Sequence, residues 1–301
     1  MFQNTLKTPI VCAGVGVHSG ERVRLVMKPA PAGAGLVFIR SDITDRPNAI
    51  AAHVENVSST KFATTLTNQA GVSVTTVEHL LAACAGLGLD NAVFEIDGAE
   101  PPVLDGASKQ FCELILKAGL TELAAPRRFI RVLKPVTVEM GAKRASISPS
   151  DSDWLTVRAS IDYQCKRIGR QSAAFELTPG VFLRDIAFAR TFALFSDVEA
   201  LCAMGLARGG SLDNTVVVDE DRVLNPEGLR AGDEFVRHKI LDVIGDLMLA
   251  GAPIAGVYEA EQPGHSVNAA LVAALMADPA AWRWAAAAQP EFNDVERAAA
   301  G

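Results

Sequence analysis

The sequence predicts an α+β fold of two duplicated domains that face each other with their helices packed between their sheets. Three observations carry this expectation. The first third of the chain is built of short runs that alternate apolar and polar residues, broken by glycine and proline, as strands are. Residues 233–250, DEFVRHKILDVIGDLMLA, read as one amphipathic helix that opens on acids, contains no proline and is followed by Gly251 and Pro253. The order strand, glycine turn, strand, helix, strand, helix then returns in the second half, beginning at Arg131. At 301 residues the chain is long enough for two domains, and the basic, proline-marked segment 125–135 reads as their junction. The expected domains are 1–126 and 127–301.

Taken in order, the runs 8–16 and 21–28 flank the stretch GVGVHSG, and 35–40 alternates again. Gly14, Gly16 and Gly20 lack the G-x-G-x-x-G spacing of a dinucleotide loop. ERVRLVMKP follows them and alternates like a strand, so a hairpin turn is the better reading. Within residues 72–88 Thr75 or Thr76 can cap a helix whose first turn holds Glu78 and His79, and Gly86 or Gly88 can end it. A strand over 91–96 leads through a loop to a second amphipathic helix. In the second half LKPVTVEMGAKRASISP repeats the strand, turn, strand order. Helix 233–250 is followed by a strand over 254–259, a loop AEQPGHSVN and a final helix. Trp282-Arg283-Trp284 invites a membrane-surface reading, but a C-terminal helix accounts for it more simply.

Bulk properties narrow the function. A composition 49% hydrophobic and 21% charged is that of a globular protein, and a net charge of −7 argues against nucleic acid as a partner. No uncharged apolar run reaches the length of a membrane span, and the N-terminus lacks the basic and apolar regions of a signal peptide. Five scattered cysteines without Cys-x2-Cys spacing read as free thiols in a reducing cytoplasm. The expectation is a cytoplasmic protein with at most peripheral membrane contact, acting as a monomer.

Within 233–250 the apolar residues Phe235, Ile240, Leu241, Val243, Ile244, Leu247 and Met248 suit a helix packed on most of its circumference. His238, Asp242 and Asp246 nevertheless fall at i, i+4 and i+8 and share one stripe, which is either solvated or used. Glu78 in a first helical turn suits the helix dipole; His79 beside it has no such explanation. Laying the halves together sets His79 against His238, at the kind of interface where small-molecule sites form. His79, His238 and Asp242 then supply two imidazoles and one carboxylate with a position left open, as catalytic zinc sites do. The same donors describe the facial triad of non-haem iron oxygenases, and a catalytically silent sugar-nucleotide or lipid-binding protein would keep the same fold. His265 follows a glycine on a loop after a strand and can reach over the cleft. His18 is either an exposed turn residue or a ligand contact.

TVEHLLAA at 76–83, HKILDVIGDL at 238–247, ARTF at 189–192 and GHSVN at 264–268 closely resemble the UDP-3-O-acyl-N-acetylglucosamine deacetylase family of lipid A biosynthesis. GVGVHSG, PVLDGAS at 102–108 and SLDN at 211–214 fit the same family in the same order. The resemblance covers essentially the whole chain. It implies a two-layer α/β sandwich in each domain, an active site in the interdomain cleft, one catalytic Zn2+ and an acylated UDP-sugar substrate whose N-acetyl group is hydrolysed. Carried over by residue, it makes His79, His238 and Asp242 the metal ligands, Glu78 the general base, His265 the general acid, Thr191 an oxyanion donor and Asp246 the partner of His265. It places Lys239, Phe192 and Arg190 at the substrate, and His18 and Lys143 in a basic patch near the nucleotide. The segment 190–217 resembles an insert that forms an acyl-chain passage. Two departures stand out: Asn268 is followed by Ala269 where a second Asn is more usual, and Gln262 replaces a basic residue, which thins the patch.

Overall fold

The computed structural model describes residues 1–286; the alanine-rich end of the expected second domain lies outside them. The fold is mixed α+β. In the first half a five-stranded sheet has the spatial order Ile10–Val15, Arg22–Pro29, Ala92–Ile96, Leu36–Arg40, Ala49–Ala51. Period-2 alternation explains why these residues form it: Val23, Leu25 and Met27 of one strand and Ala92, Phe94 and Ile96 of its neighbour all face the core. Helices α1 (Glu78–Leu87) and α2 (Lys109–Ala118) belong to this half. A ribbon pairs Phe2–Leu6 antiparallel with Leu120–Pro126.

The second half holds a seven-stranded sheet centred on Ile254–Glu261, which pairs antiparallel with Lys143–Ser148 and parallel with Leu155–Asp162. A single turn, α3 (Pro179–Val181), runs into a wider π turn, Phe182–Ile186. The expected insert is a small β–α–β unit: Phe192–Leu194, α4 (Phe195–Ala203) and Val216–Asp219, the two strands parallel. The long polar-striped helix is α5 (Glu234–Leu247), and α6 (His265–Ala277) completes the set. α1 packs directly on α5, and one continuous apolar cluster spans both halves.

Both glycine turns join antiparallel strands as expected, GVGVHSG between Ile10–Val15 and Arg22–Pro29, and Gly141 between Val136–Met140 and Lys143–Ser148. Four local expectations are corrected. Neither threonine caps α1: Thr75 bonds Thr65, and Thr76 turns its hydroxyl to Glu100, so Gly88 alone marks a helix end as foreseen. The α5 helix stops at Leu247, and Met248–Ala250 tightens into a 3-10 turn before Gly251. His265 opens α6 and does not lie on a loop. Finally, residues Trp282–Ala286 are a strand paired antiparallel with Arg128–Val132 and not a helix; Trp282 and Trp284, two residues apart, pack ring edge to ring face at 5.3 Å.

Candidate active site

The site begins with a glycine. At Gly245 the α5 backbone lies against the carbonyl of Glu78, so closely that a Cβ there would collide with it. This contact lets the two helices approach and brings His79 of α1 beside His238 and Asp242, which sit one turn apart on α5. The imidazoles of His79 and His238 meet edge to face, with centroids 5.1 Å apart. Asp242 Oδ1 is 3.6 Å from His79 Nε2 and 3.3 Å from His238 Nε2. A tetrahedral centre with bonds of about 2.0 Å would set its ligand atoms roughly 3.3 Å apart.

Protonation at this cluster is constrained by what surrounds it. His238 Nδ1 lies 3.1 Å from the Ala189 carbonyl, which can only accept, so Nδ1 carries the hydrogen and Nε2 offers its lone pair inward. Burial pushes the His238 pKa down, and although Asp242 pulls the other way the balance falls to about 3. Burial acts to raise Asp242, yet His238 and Lys239 outweigh it and hold the carboxyl well below its ordinary range. Asp242 Oδ2 accepts from Lys239 at 2.8 Å, whereas the buried Oδ1 has no hydrogen-bond donor among the described residues. Three lone-pair atoms, all buried and converging within 4.8 Å of one another, fit a cation.

Next to this cluster lie a buried carboxylate and an imidazole. Glu78 is buried, and burial pushes its pKa up against the pull of His265 and His79. His265 spans two carboxylates, with Nδ1 2.9 Å from Asp246 Oδ2 and Nε2 3.6 Å from Glu78 Oε1. Burial pushes His265 down, but Asp246 and then Glu78 outweigh it, and its pKa rises to about 10.

Around them the structure places the other expected residues unequally. Phe192 is half-buried, packed edge-on against Phe235, Tyr163 and His238, with the Lys239 ammonium 5.5 Å from its ring centroid. Thr191 precedes it and is fixed by its backbone, donating to Gly106 and accepting from Val216. Lys143 Nζ lies 2.9 Å from where a Cβ on Gly264 would stand, beside His265. His18 is close enough to the site that, after burial, His265 and His79 add to the downward push on its pKa, against Glu100. The insert reaches this turn: Arg208 N–H donates to the His18 carbonyl at 3.2 Å and Gly209 N–H to Val17 at 3.0 Å. Arg190 departs from expectation. Only 1% of its side chain is exposed, and its guanidinium bonds Glu234, Glu227 and the Gly228 carbonyl, so it braces the start of α5.

Sequence reasoning missed Glu100, which gathers the His18 and Ser19 N–H groups and the Thr76 hydroxyl, and Ser108, which donates to the His79 carbonyl at 2.7 Å. It also missed Thr64, whose N–H donates to Glu78 at 3.1 Å and whose hydroxyl donates to Asp246 at 2.6 Å. Gly245 did leave a signal: a glycine inside a helix is about 1 kcal/mol worse than alanine and calls for a packing reason.

Comparison with known proteins shows the family. A family model described as UDP-3-O-acyl N-acetylglycosamine deacetylase matches residues 3–277. A UDP-3-O-acyl-N-acetylglucosamine deacetylase of Phenylobacterium zucineum is 49% identical over 283 residues, covering 94% of this chain and 96% of that protein. Proteins of the same name from Shewanella loihica and Shewanella baltica are 45% and 44% identical, each over 94% of this chain and 92% of their own. The chain thus belongs to the UDP-3-O-acyl-N-acetylglucosamine deacetylase family.

Proposed function

We propose that this protein hydrolyses the N-acetyl group of UDP-3-O-(3-hydroxyacyl)-N-acetylglucosamine and releases acetate, a step of lipid A biosynthesis, with one zinc ion held by His79, His238 and Asp242. The observation that carries the reading is the Asp242 oxygen buried without a donor between two imidazole nitrogens, with Glu78 and His265 facing each other beside it. The bound metal supplies Lewis acidity, acidifying a water molecule and polarising the acetyl carbonyl. Glu78 accepts the proton of the attacking water. His265, kept cationic by Asp246, donates from Nε2 to the departing glucosamine nitrogen as the C–N bond breaks. Thr191 is assigned a hydrogen bond to the carbonyl oxygen as charge develops there. Lys239 and Phe192 line the substrate side, Lys143 attracts the nucleotide phosphates, His18 hydrogen-bonds them, and the insert carries the acyl chain.

The same reading takes the halves as two related sandwich domains, 1–126 and 127–301, with the cleft between their helix layers, in a monomeric cytoplasmic protein. The contact of α1 with α5 supports it. Among the described residues no helix is long and apolar enough to cross a membrane. The test is acetate release from the acylated UDP-N-acetylglucosamine, expected to stop with a chelator and return with zinc. Release that persists through metal removal, or none from the zinc-loaded protein, overturns the proposal.

A further inference from the structure

Asp246 has three hydrogen-bond partners among the described residues, and all three donate to it. The Thr64 hydroxyl reaches Oδ1 at 2.6 Å, while His265 Nδ1 at 2.9 Å and Asn268 Nδ2 at 2.8 Å share Oδ2. Asn268 stands one helical turn beyond His265 on α6, so both residues grip one carboxylate oxygen from the same face of one helix. An amide can present either end. If the Asn268 oxygen faced Asp246, two acceptors would oppose each other in a site where Asn268 is wholly buried and Asp246 nearly so. The Asp246 carboxylate only accepts, so it takes Nδ2, and Asn268 Oδ1 is left to accept from the buried Tyr258 hydroxyl at 2.6 Å.

We infer that Asn268, held at its other end by Tyr258, is a positioning residue for the reaction: it fixes the Asp246 carboxylate so that His265 keeps Nδ1–H on Asp246 and Nε2 on the substrate side. The reaction named here rests on the proposed deacetylation; the positioning itself does not. Asn268 and Tyr258 are both wholly buried, and Tyr258 lies in the strand Ile254–Glu261, so the sheet of the second half backs the His265 imidazole through Asn268 and Asp246.

The test uses Asn268→Ala and Tyr258→Phe in the full chain, with kcat, KM, zinc content and the His265 Nδ1–H proton NMR signal as readouts, the signal being assigned by its loss in His265→Ala. Asn268→Ala is expected to lower kcat by about 10–100-fold, as loss of an orienting partner does. KM and zinc content should stay within about twofold, since binding is not what is lost. The Nδ1–H signal should shift or broaden. Tyr258→Phe, which keeps the shape, should move kcat and the signal in the same direction by less. Leu271→Ala on the same helix loses comparable packing and should change neither. The inference is overturned if a folded Asn268→Ala keeps wild-type kcat and signal, if zinc is lost with the activity, or if Leu271→Ala behaves alike. Should Asn268→Ala not fold, Tyr258→Phe decides. Should the wild type release no acetate, the functional reading fails, while the NMR comparison still judges the positioning.

Discussion

His265 and Glu78 face each other across 3.6 Å, Nε2 toward Oε1, although they come from helices in opposite halves of the chain. In the proposed reaction a carboxylate and an imidazole set this close can serve as base and acid only if each is independently held. Glu78 is held by the Thr64 N–H and His265 by Asp246. Removing either group should therefore damage the chemistry and leave the His79, His238 and Asp242 cluster standing. Glu78→Ala and His265→Ala are each expected to lower kcat by roughly 10²–10⁴-fold with zinc still bound. Near-wild-type turnover in either variant would strip that residue of its role.

The raised pKa of His265 has a consequence for stability in the metal-free protein. Burial opposes the charge, Asp246 and Glu78 outweigh it, and the pKa climbs from 6.5 to about 10. A group raised on folding stabilises fully below its unfolded pKa, and that contribution disappears as pH rises through the folded value. Compared without zinc, the Tm deficit of His265→Ala relative to wild type should be largest near about pH 6 and should shrink toward about pH 10. A deficit that widens with pH would contradict the sign.

Gly245→Ala tests the helix crossing. The added methyl meets the Glu78 carbonyl, which is backbone and cannot swing aside. Overpacking of this kind costs about 1–3 kcal/mol, and the helices must part to relieve it. We expect a lower Tm together with weaker zinc binding in a metal titration, because His79 is carried away from His238 and Asp242. Unchanged zinc affinity would mean that the ligands do not depend on this contact.

Arg190 separates structural from substrate roles. Its guanidinium is buried against Glu234, which is itself fully buried, so Arg190→Met leaves an uncompensated charge. Breaking such a pair destabilises by about 3–5 kcal/mol. The expected result is a large fall in Tm with KM unchanged for whatever fraction remains folded. A raised KM at wild-type Tm would return Arg190 to the substrate.

The insert makes a prediction about substrate. Helix α4 buries none of its residues, and Phe195, Met204 and Leu212 are all exposed apolar side chains. Ten methylenes covered by such a surface would contribute on the order of 8 kcal/mol before ordering costs. Part of that can align the acetyl group, so a substrate lacking the acyl chain should lose kcat as well as affinity. Equal turnover of both substrates would remove the insert from the reaction.

Much of the candidate site was legible because helical periodicity is rigid. His238, Asp242 and Asp246 had to share a stripe once 233–250 was read as a helix, and the match of element order set His79 opposite them. The pairs that join distant segments were not legible. Thr64 meets Asp246 across 182 residues of sequence, and no local pattern marks a threonine that will bond two carboxylates. The start of α6 escaped because Gly264 precedes it in an extended conformation and supplies no side chain to cap it. The ion pairs of Arg190 were not legible either, because Glu227 and Glu234 lie some forty residues further along the chain. The strand Trp282–Ala286 was missed since its only reason to form is an edge offered by Arg128–Val132.

The crossing of α1 and α5 also bears on inheritance. His79 comes from one half of the gene, His238 and Asp242 from the other, and the fit between them passes through Gly245 and Glu78 and through the Gly209 contact with Val17. A recombinant that joined the first half of one relative to the second half of another would have to match at all these points before its histidines could meet. The two halves are therefore expected to travel through descent as one unit, however similar their separate folds.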